Sequence, residues 1–255
     1  MARVNAVSLC DTPRHARESW ARFVDYYLTP DEDAGFDPGF FKPPVHPSPP
    51  LHYKIVEWLH THKRVALGAP RGSAKSTVKR SVMLWKVVTK PRYDACMVLA
   101  KDDFVVEEFY KFKTQLENNS RILEDFGTLR PPRGTGIWHN HILTLSNGSI
   151  LRGISIGGRS RGLRPDLVWL DDPEFDDDYM NIAAERVEEL KEKCLGVVLP
   201  MLEGSGVLVF TNTMLSQNSF GYHVVCTEED PRFLSSHNGG TWFKVNVPAV
   251  DALGQ

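Results

Sequence analysis

A short segment between an apolar run and a helical pattern has the composition of a phosphate-binding loop. Residues 69–77 read APRGSAKST, in which small residues lead up to Lys75 and Ser76. Small side chains let the backbone curl so that several N–H groups converge on one anion, and the following helix adds the positive end of its dipole. Lys75 would then reach the β- and γ-phosphates of a nucleotide, and the Ser76 hydroxyl would face Mg²⁺.

The loop meets the usual pattern G-x-x-x-x-G-K-[ST] only in part. Counting back from Lys75, Ala69 and Ala74 occupy the two glycine positions, while Gly68 and Gly72 lie out of register. A tight strand-to-helix turn that carries a solvent-reaching lysine is the alternative interpretation. The rest of the chain has to discriminate between the two.

Carboxylates follow a second apolar run. Residues 167–170 (LVWL) precede Asp171, Asp172 and Glu174. A buried strand that ends in acidic residues places them at the carboxyl edge of the sheet, where open α/β sheets bind ligands. Asp171 would hold Mg²⁺, directly or through water, and Asp172 or Glu174 would orient and deprotonate an attacking water. Solvated acids at an ordinary strand end are the alternative, which the upstream loop disfavours.

A third apolar run, VLVFTNTM at 207–214, ends in the polar residues Thr211, Asn212 and Thr213. Polar side chains at a strand tip beside a phosphate site can sense a γ-phosphate. The pattern alone is weak support, but it adds a third strand end to the same predicted edge.

Charges of opposite sign are segregated on either side of residue 165. Residues 130–164 contain six arginines and no Asp, Glu or Lys, whereas residues 166–192 contain eleven acids and two bases. Arginine suits planar, bidentate contacts with phosphate. The glycine-rich part at 157–164 has two competing uses: completing the nucleotide site of a neighbouring subunit, or contacting a nucleic-acid backbone. Plain surface arginines are the third possibility.

Short apolar runs alternate with helical patterns along the chain, which predicts the elements that position these residues. Strands are predicted at 64–68, 95–100, 167–170, 207–211 and 242–247, and helices at 51–62, 75–89, 102–117 and 181–195, the last ending at Gly196. Asn147-Gly148 between 142–145 and 149–154 predicts an antiparallel hairpin. The fold class is therefore α/β, with a mostly parallel sheet flanked by helices and an added hairpin.

The first fifty residues differ in composition from the rest. Trp20, Phe23, Val24 and Tyr27 recur at helical spacing within residues 1–29, and seven of the 17 prolines fall at 30–50. We expect a short amphipathic helix and an extended arm that docks on the core or on a neighbouring subunit, with a plain linker as the alternative. The predicted division is residues 1–50 for the helix and arm and residues 51–250 for one α/β domain.

Composition excludes several classes of protein. The 255 residues suit one or two domains, and 30 Lys+Arg against 32 Asp+Glu give a net charge of −2, which excludes a globally basic nucleic-acid-binding protein but not a local basic patch. No apolar run approaches the ~20 residues that cross a bilayer, and the start of the chain has no signal peptide, so we expect no membrane partner. Four scattered cysteines without a C-x-x-C pair indicate reduced thiols rather than a zinc site.

Three segments together, in order and spacing, resemble the ATPase domain of phage large terminase subunits. They are APRGSAKST at 69–77, GGRSRGLRPDLVWLDDPE at 157–174 and VLVFTNTM at 207–214. The first is similar to the family's deviant phosphate loop, in which an early arginine, here Arg71, replaces the glycine-rich opening. The second resembles the arginine-glycine stretch that leads into the metal-binding strand, and the third resembles the coupling motif.

The resemblance covers roughly residues 50–250 and implies an additional-strand, RecA-like P-loop NTPase that hydrolyses ATP with Mg²⁺. It also implies a homo-oligomeric ring in the host cytoplasm, transiently at the procapsid portal, that translocates double-stranded DNA and works with the portal and the small terminase subunit. The family's trans-acting arginine corresponds to Arg161, with Arg159 and Arg164 as rivals. Residues 251–255 would begin the linker to a C-terminal nuclease domain, for which this chain shows no acidic constellation.

Which residue acts as the general base is left open between Asp172 and Glu174. The family usually has a glutamate directly after the metal-binding aspartate, whereas this chain has Asp172 at that position and Glu174 two residues further on. The predicted catalytic residues are Arg71, Lys75, Arg161, Asp172 and Glu174, and the predicted metal ligands are Ser76 and Asp171. The residues predicted to contact nucleotide are Pro70, Arg71, Gly72, Ser73, Ala74, Lys75, Ser76, Thr77 and Thr211.

Two other functions stay open. One is a different DNA-translocating or helicase-like P-loop ATPase. The other is a non-hydrolysing nucleic-acid-binding assembly subunit, which the alanines at both glycine positions of the loop would suit.

Overall fold

Seven strands form one sheet in the computed structural model, which describes residues 19–28, 49–160, 162–174, 184–202, 206–213, 217–226 and 242–247. The strands are β1 Arg64–Gly68, β2 Asp94–Leu99, β3 Ile142–Thr144, β4 Ile150–Ser155, β5 Leu167–Asp171, β6 Val207–Asn212 and β7 Phe243–Asn246. Their order across the sheet is β3-β4-β2-β5-β6-β1-β7. The β3–β4 pair is antiparallel and the other pairs are parallel, as predicted.

Helices connect the strands. They are α1 Trp20–Phe23, α2 Pro50–Thr61, α3 Lys75–Thr89, α4 Asp102–Asn118, α5 Ser120–Phe126, α6 Ala184–Lys193 and α7 Phe220–Cys226. A π-helical turn over Val24–Leu28 continues α1. Apart from the end of α6, the predicted strands and helices are confirmed within one or two residues wherever the structure describes them. Among the helices of these residues, none has the length and apolarity that a membrane span requires.

The end predicted for α6 is wrong. The chain does not leave the helix at Gly196 but continues as a π-helical turn over Cys194–Val198 and a 3₁₀ turn over Leu199–Leu202. Cys194 and Val198 are buried in the core on this face of the sheet. Burial of these side chains outweighs the poor helix propensity of Gly196, because tertiary packing supplies most helical stability in proteins.

The core is divided between the two faces of the sheet. On β1, Val65 and Leu67 pack on the face covered by α1–α5, whereas Ala66 packs on the face covered by α6 and α7. Side chains alternate along β5 and β6 in the same way. Cover on both faces explains why the central strands are apolar at nearly every position.

The position of β6 brings the ends of three strands together. β6 lies between β1, which leads into the phosphate loop, and β5, which ends in the carboxylates. The mostly parallel sheet with helices on both faces and one antiparallel pair confirms the predicted α/β fold class. Because the three strands are parallel, Gly68, Asn212 and Asp171 reach the same edge of the sheet.

Two local predictions outside the site have clear outcomes. The Asn147-Gly148 turn is confirmed: Gly148 has a φ of 84°, and Asn147 Oδ1 accepts a hydrogen bond of 3.0 Å from the Ser149 N–H. At the N-terminus, the Trp20 indole N–H donates to Ser81 Oγ at 3.0 Å, so α1 packs on α3. The proline-rich arm lies outside the described residues, and the division at residue 50 stays a prediction.

Candidate active site

The loop between β1 and α3 contains two residues with a left-handed backbone, one of them an alanine. Gly72 and Ala74 both have positive φ, of 82° and 57°. Left-handed residues within such a loop turn successive N–H groups towards one point, which forms a nest for an anion. Ala74 takes the conformation that glycine usually supplies, at a cost of about 1 kcal/mol. The Ala74 carbonyl also accepts the first hydrogen bond of α3, from the Val78 N–H at 3.0 Å.

Lys75 lies at the start of α3 and is 6% exposed. Its ammonium donates to the carbonyls of Ala69 at 2.8 Å and Pro70 at 3.2 Å, and to Thr213 Oγ1 at 3.2 Å. Burial lowers the pKa of Lys75, and the negative charge of Asp172 opposes this shift. The Lys75 ammonium therefore links the start of the loop to the residue that follows β6.

Asp171 is a fully hydrogen-bonded carboxylate at the end of β5. Ser76 Oγ donates to its Oδ2 at 3.0 Å, Lys79 Nζ donates to the same oxygen at 2.8 Å, and Thr211 Oγ1 donates to Oδ1 at 2.6 Å. Burial by itself would raise the pKa of Asp171. The ammonium of Lys79 and the hydrogen bonds from Thr211 and Ser76 outweigh burial and hold this pKa below its usual value.

Asp172 follows with a left-handed backbone, at a φ of 39°. Its N–H donates to the Thr211 carbonyl at 2.9 Å, and its Oδ1 accepts from the Thr213 N–H at 2.7 Å. Burial and the adjacent charge of Asp171 raise the pKa of Asp172, while Lys75 opposes the shift. A carboxylate with a raised pKa is a stronger proton acceptor.

Glu174 is held by a neighbouring helix. Its Oε1 accepts a hydrogen bond from the Phe220 N–H, and its Oε2 accepts from the Gly221 N–H and from Asn212 Nδ2, both at 2.9 Å. Glu174 therefore caps the start of α7 and ties it to the end of β6.

One open cavity of about 600 Å³ collects these groups. Of the predicted residues, Arg71, Gly72, Ala74, Lys75, Ser76, Thr77, Asp171, Asp172 and Glu174 line it. Pro70, Ser73 and Thr211 support it: the Ser73 hydroxyl donates to the Pro70 carbonyl at 2.8 Å, and Thr211 lies behind Asp171. Arg161 lies outside the described residues. Arg159 lines a second cavity, of about 290 Å³, together with His141 and Asp102.

The donor set fits a hard divalent cation. Ser76 and Asp171 offer oxygen atoms 3.0 Å apart at the cavity wall. Within the described ranges there is no group of three or more His, Cys, Asp or Glu placed to hold a metal. Mg²⁺ at nucleotide sites uses one or two protein ligands and completes its shell with phosphates and water, so two oxygens suffice.

Asn212 and Thr213, which the sequence placed at the tip of the third apolar run, also line the cavity, but the sequence did not reveal five further lining residues: Lys79, Leu99, Phe104, Glu107 and Glu108. Lys79 follows Lys75 by four residues and so lies on the same face of α3, a spacing that would have indicated it. Glu107 and Glu108 on α4 gave no signal, because charged residues near the start of a helix are usually solvated.

The fold of this chain is similar to that of solved structures. The crystal structure of the HK97 bacteriophage large terminase matches with a TM-score of 0.53 and 10% identity, over 82% of this chain and 40% of that protein. The chain has the fold of part of a phage large terminase. A mutant ATPase domain of the Thermus phage P74-26 large terminase also matches, with a TM-score of 0.44 and 16% identity, over 79% of this chain and 82% of that domain.

The terminase resemblance predicted from the three motifs is thus confirmed at the level of the fold. This chain spans well under half of the HK97 large terminase. No protein-family model and no curated protein matches the chain in sequence.

Proposed function

We propose that this chain is a Mg²⁺-dependent ATPase of the large terminase type. One observation carries the proposal: a phosphate-loop lysine, Lys75, and the carboxylates of Asp171 and Asp172 line one cavity at the carboxyl edge of a P-loop sheet. Loops of this kind bind the phosphates of nucleotides, and acids on the opposite wall support transfer of the γ-phosphoryl group to water.

Each wall of the cavity has a distinct task in this proposal. The loop N–H groups and Lys75 bind the phosphates, and Arg71 adds positive charge at the cavity wall. Ser76 and Asp171 would hold Mg²⁺, which when bound supplies neutralisation of the phosphate charge. Because Lys75 already lies against the loop carbonyls, it moves only from these acceptors to the phosphate oxygens when nucleotide binds.

Asp172 is the better candidate for the base. Its pKa is raised and it lines the cavity, so it can accept a proton from an attacking water. Glu174 also lines the cavity, but its carboxylate accepts hydrogen bonds from α7 and from Asn212. We assign Glu174 the role of linking the nucleotide site to α7.

The motor function extends the proposal beyond hydrolysis. The terminase fold and the three motifs support a homo-oligomeric ring that drives double-stranded DNA into a procapsid in the host cytoplasm, with the portal and the small terminase subunit as partners. Arg161, or Arg159 or Arg164 in its place, would act on the nucleotide of the neighbouring subunit. DNA-stimulated turnover that rises with protein concentration would support an assembled motor rather than a monomeric enzyme.

Lys75→Met tests the hydrolytic proposal. We expect binding of Mg²⁺ and a non-hydrolysable ATP analogue, measured by calorimetry, to fall by about a hundredfold or more, because charge-assisted contacts with phosphate are lost. Steady-state ATP turnover should fall in parallel. Lys86→Met is the matched control: it removes another buried lysine of α3 whose ammonium packs over the Trp85 ring, 4.0 Å from its centroid.

Three outcomes would overturn the assignment. Absence of nucleotide binding by the wild-type chain would show that the cavity is not a nucleotide-binding site. Near-wild-type ATP turnover by Lys75→Met would show that Lys75 has no role in ATP hydrolysis. Nucleotide binding without turnover, with DNA and partner proteins present, would favour the non-hydrolysing assembly subunit.

A further inference from the structure

Lys79 is a buried cation that the proposed hydrolysis does not use. It lies one turn after Lys75 on α3 and is 1% exposed. Its ammonium lies 2.8 Å from Asp171 Oδ2 and 3.3 Å from Glu108 Oε2. A buried ammonium is tolerated only where carboxylates compensate its lost hydration. These two acids come from β5 and α4, so Lys79 joins three elements at the floor of the cavity.

The contact with Asp171 involves the oxygen that faces the predicted metal position. Asp171 Oδ2 accepts from both Ser76 Oγ and Lys79 Nζ, while Oδ1 accepts from Thr211 Oγ1. A divalent cation at Oδ2 would therefore share that oxygen with an ammonium. Two cations that contact the same carboxylate oxygen repel each other strongly in a buried environment.

Glu108, the second carboxylate beside Lys79, is already engaged by other basic side chains. Glu108 is contacted by Lys79, by Arg80 Nε at 3.1 Å and by Lys111 Nζ at 3.0 Å. The two carboxylates of this cluster, Asp171 and Glu108, thus face three basic side chains. Bound nucleotide would change this balance, because its phosphates bring several negative charges to the same wall.

We propose that Lys79 is a positioning residue that denies Asp171 to a divalent cation until nucleotide phosphates are present. The second part of this inference, that the divalent cation binds Asp171 together with the nucleotide triphosphate, rests on the proposed function. The first part, that Lys79 keeps a divalent cation from binding Asp171, concerns the nucleotide-free protein alone. If Lys79 had only a structural role, as an ion pair between α3 and β5, its replacement would not change the affinity of the protein for a divalent cation.

The experiment measures Mn²⁺ binding to the nucleotide-free full chain by electron paramagnetic resonance. We expect Lys79→Met to acquire one site that binds Mn²⁺ about tenfold or more tightly than any site of the wild type, because a fixed positive charge beside Asp171 is gone. The double variant Lys79→Met with Asp171→Asn should lose that site. The matched control Lys86→Met, in the same helix, should bind Mn²⁺ as the wild type does.

Equal Mn²⁺ affinity in Lys79→Met and the wild type would overturn the proposal, as would a new site that survives Asp171→Asn. Lys79→Met removes the ammonium that compensates the buried charge of Asp171 and could destabilise the fold, so a comparison that needs no Lys79 variant is included. The wild type and Asp171→Asn should give the same Mn²⁺ isotherm without nucleotide. A wild-type site that Asp171→Asn abolishes would show that Lys79 does not exclude the cation.

The two proposals fail separately. The Mn²⁺ comparison decides whether Lys79 masks Asp171 even if the chain binds no nucleotide. Calorimetry with the ATP analogue decides the nucleotide site even if Mn²⁺ binding is unchanged in Lys79→Met.

Discussion

Gly221 on α7 can carry no side chain as long as Asn212 keeps its place. A Cβ atom added at Gly221 would lie 1.6 Å from Asn212 Nδ2 and 2.4 Å from its Cγ. The carboxamide of Asn212 is almost fully buried and donates to Glu174 Oε2 at 2.9 Å. Gly221→Ala therefore forces Asn212 to move and breaks the contact that ties β6 to Glu174.

The expected cost follows from three contributions. Inserting a methyl group into a close-packed interior costs about 1–3 kcal/mol. Loss of the hydrogen bond between Asn212 and Glu174 adds about 1 kcal/mol. The higher helix propensity of alanine returns up to about 1 kcal/mol. We therefore expect the free energy of unfolding to fall by about 1–4 kcal/mol.

Urea unfolding of Gly221→Ala measures this cost, with Gly196→Ala as the matched control. A Cβ at Gly196 would meet no atom within 4 Å, so that variant should be neutral or slightly stabilised. Turnover should fall in Gly221→Ala, because the residue next to Asn212, Thr213, holds Asp172 through its N–H. Gly221→Ala combined with Asn212→Ser should show a coupling of about 1 kcal/mol or more, since the clash is then relieved. An unfolding free energy of Gly221→Ala that is unchanged or raised, as expected for Gly196→Ala, would refute the reasoning, and so would additive effects of Gly221→Ala and Asn212→Ser.

Two further predictions concern pH. Burial and the nearby Lys90 lower the pKa of Lys86 from 10.5 to about 7, so the unfolded chain binds more protons above pH 7 and stability should rise with pH from 7 to 10. Lys86→Met should remove this rise and stabilise the protein at pH 7 by about 1–3 kcal/mol in urea unfolding, whereas an unchanged pH profile would contradict the burial of this charge. Burial also lowers the pKa of His52, whose Nε2 lies 3.0 Å from the Ser73 carbonyl, so stability should fall as the pH drops below about 6.5. His52→Gln should weaken this acid-side loss in thermal unfolding between pH 5 and 7, and an equally steep loss would exclude His52 as its source.

The fold could be predicted from the sequence because its signals are local. Apolar runs of strand length, such as those before Ala69 and Asp171, alternate with helical patterns, and parallel sheets covered on both faces require this pattern. The phosphate loop and the acids could be assigned to one edge because parallel strands end on the same side. The stop predicted at Gly196 failed because the packing of Cys194 and Val198 is not a local property of the sequence.

The partners of the site residues could not be predicted in the same way. Lys79 lies 92 positions from Asp171 in the chain, and Glu174 lies 46 positions from Phe220. Nothing in a run of charged residues distinguishes a buried ion pair such as Lys79–Glu108 from two solvated side chains. The role of Glu174 as a helix cap depended on where α7 packs, which no motif encodes.

The insertion of β6 between β1 and β5 bears on how the protein folds. The groups around the cavity come from segments far apart in the chain, as the contact between Lys75 and Thr213, 138 positions apart, illustrates. Loop closure over such distances is entropically costly, and proteins dominated by distant contacts fold slowly. The loop between β1 and α3 lacks its contact with Thr213 until β6 has joined the sheet, so the proposed binding of nucleotide should emerge only after that step of refolding.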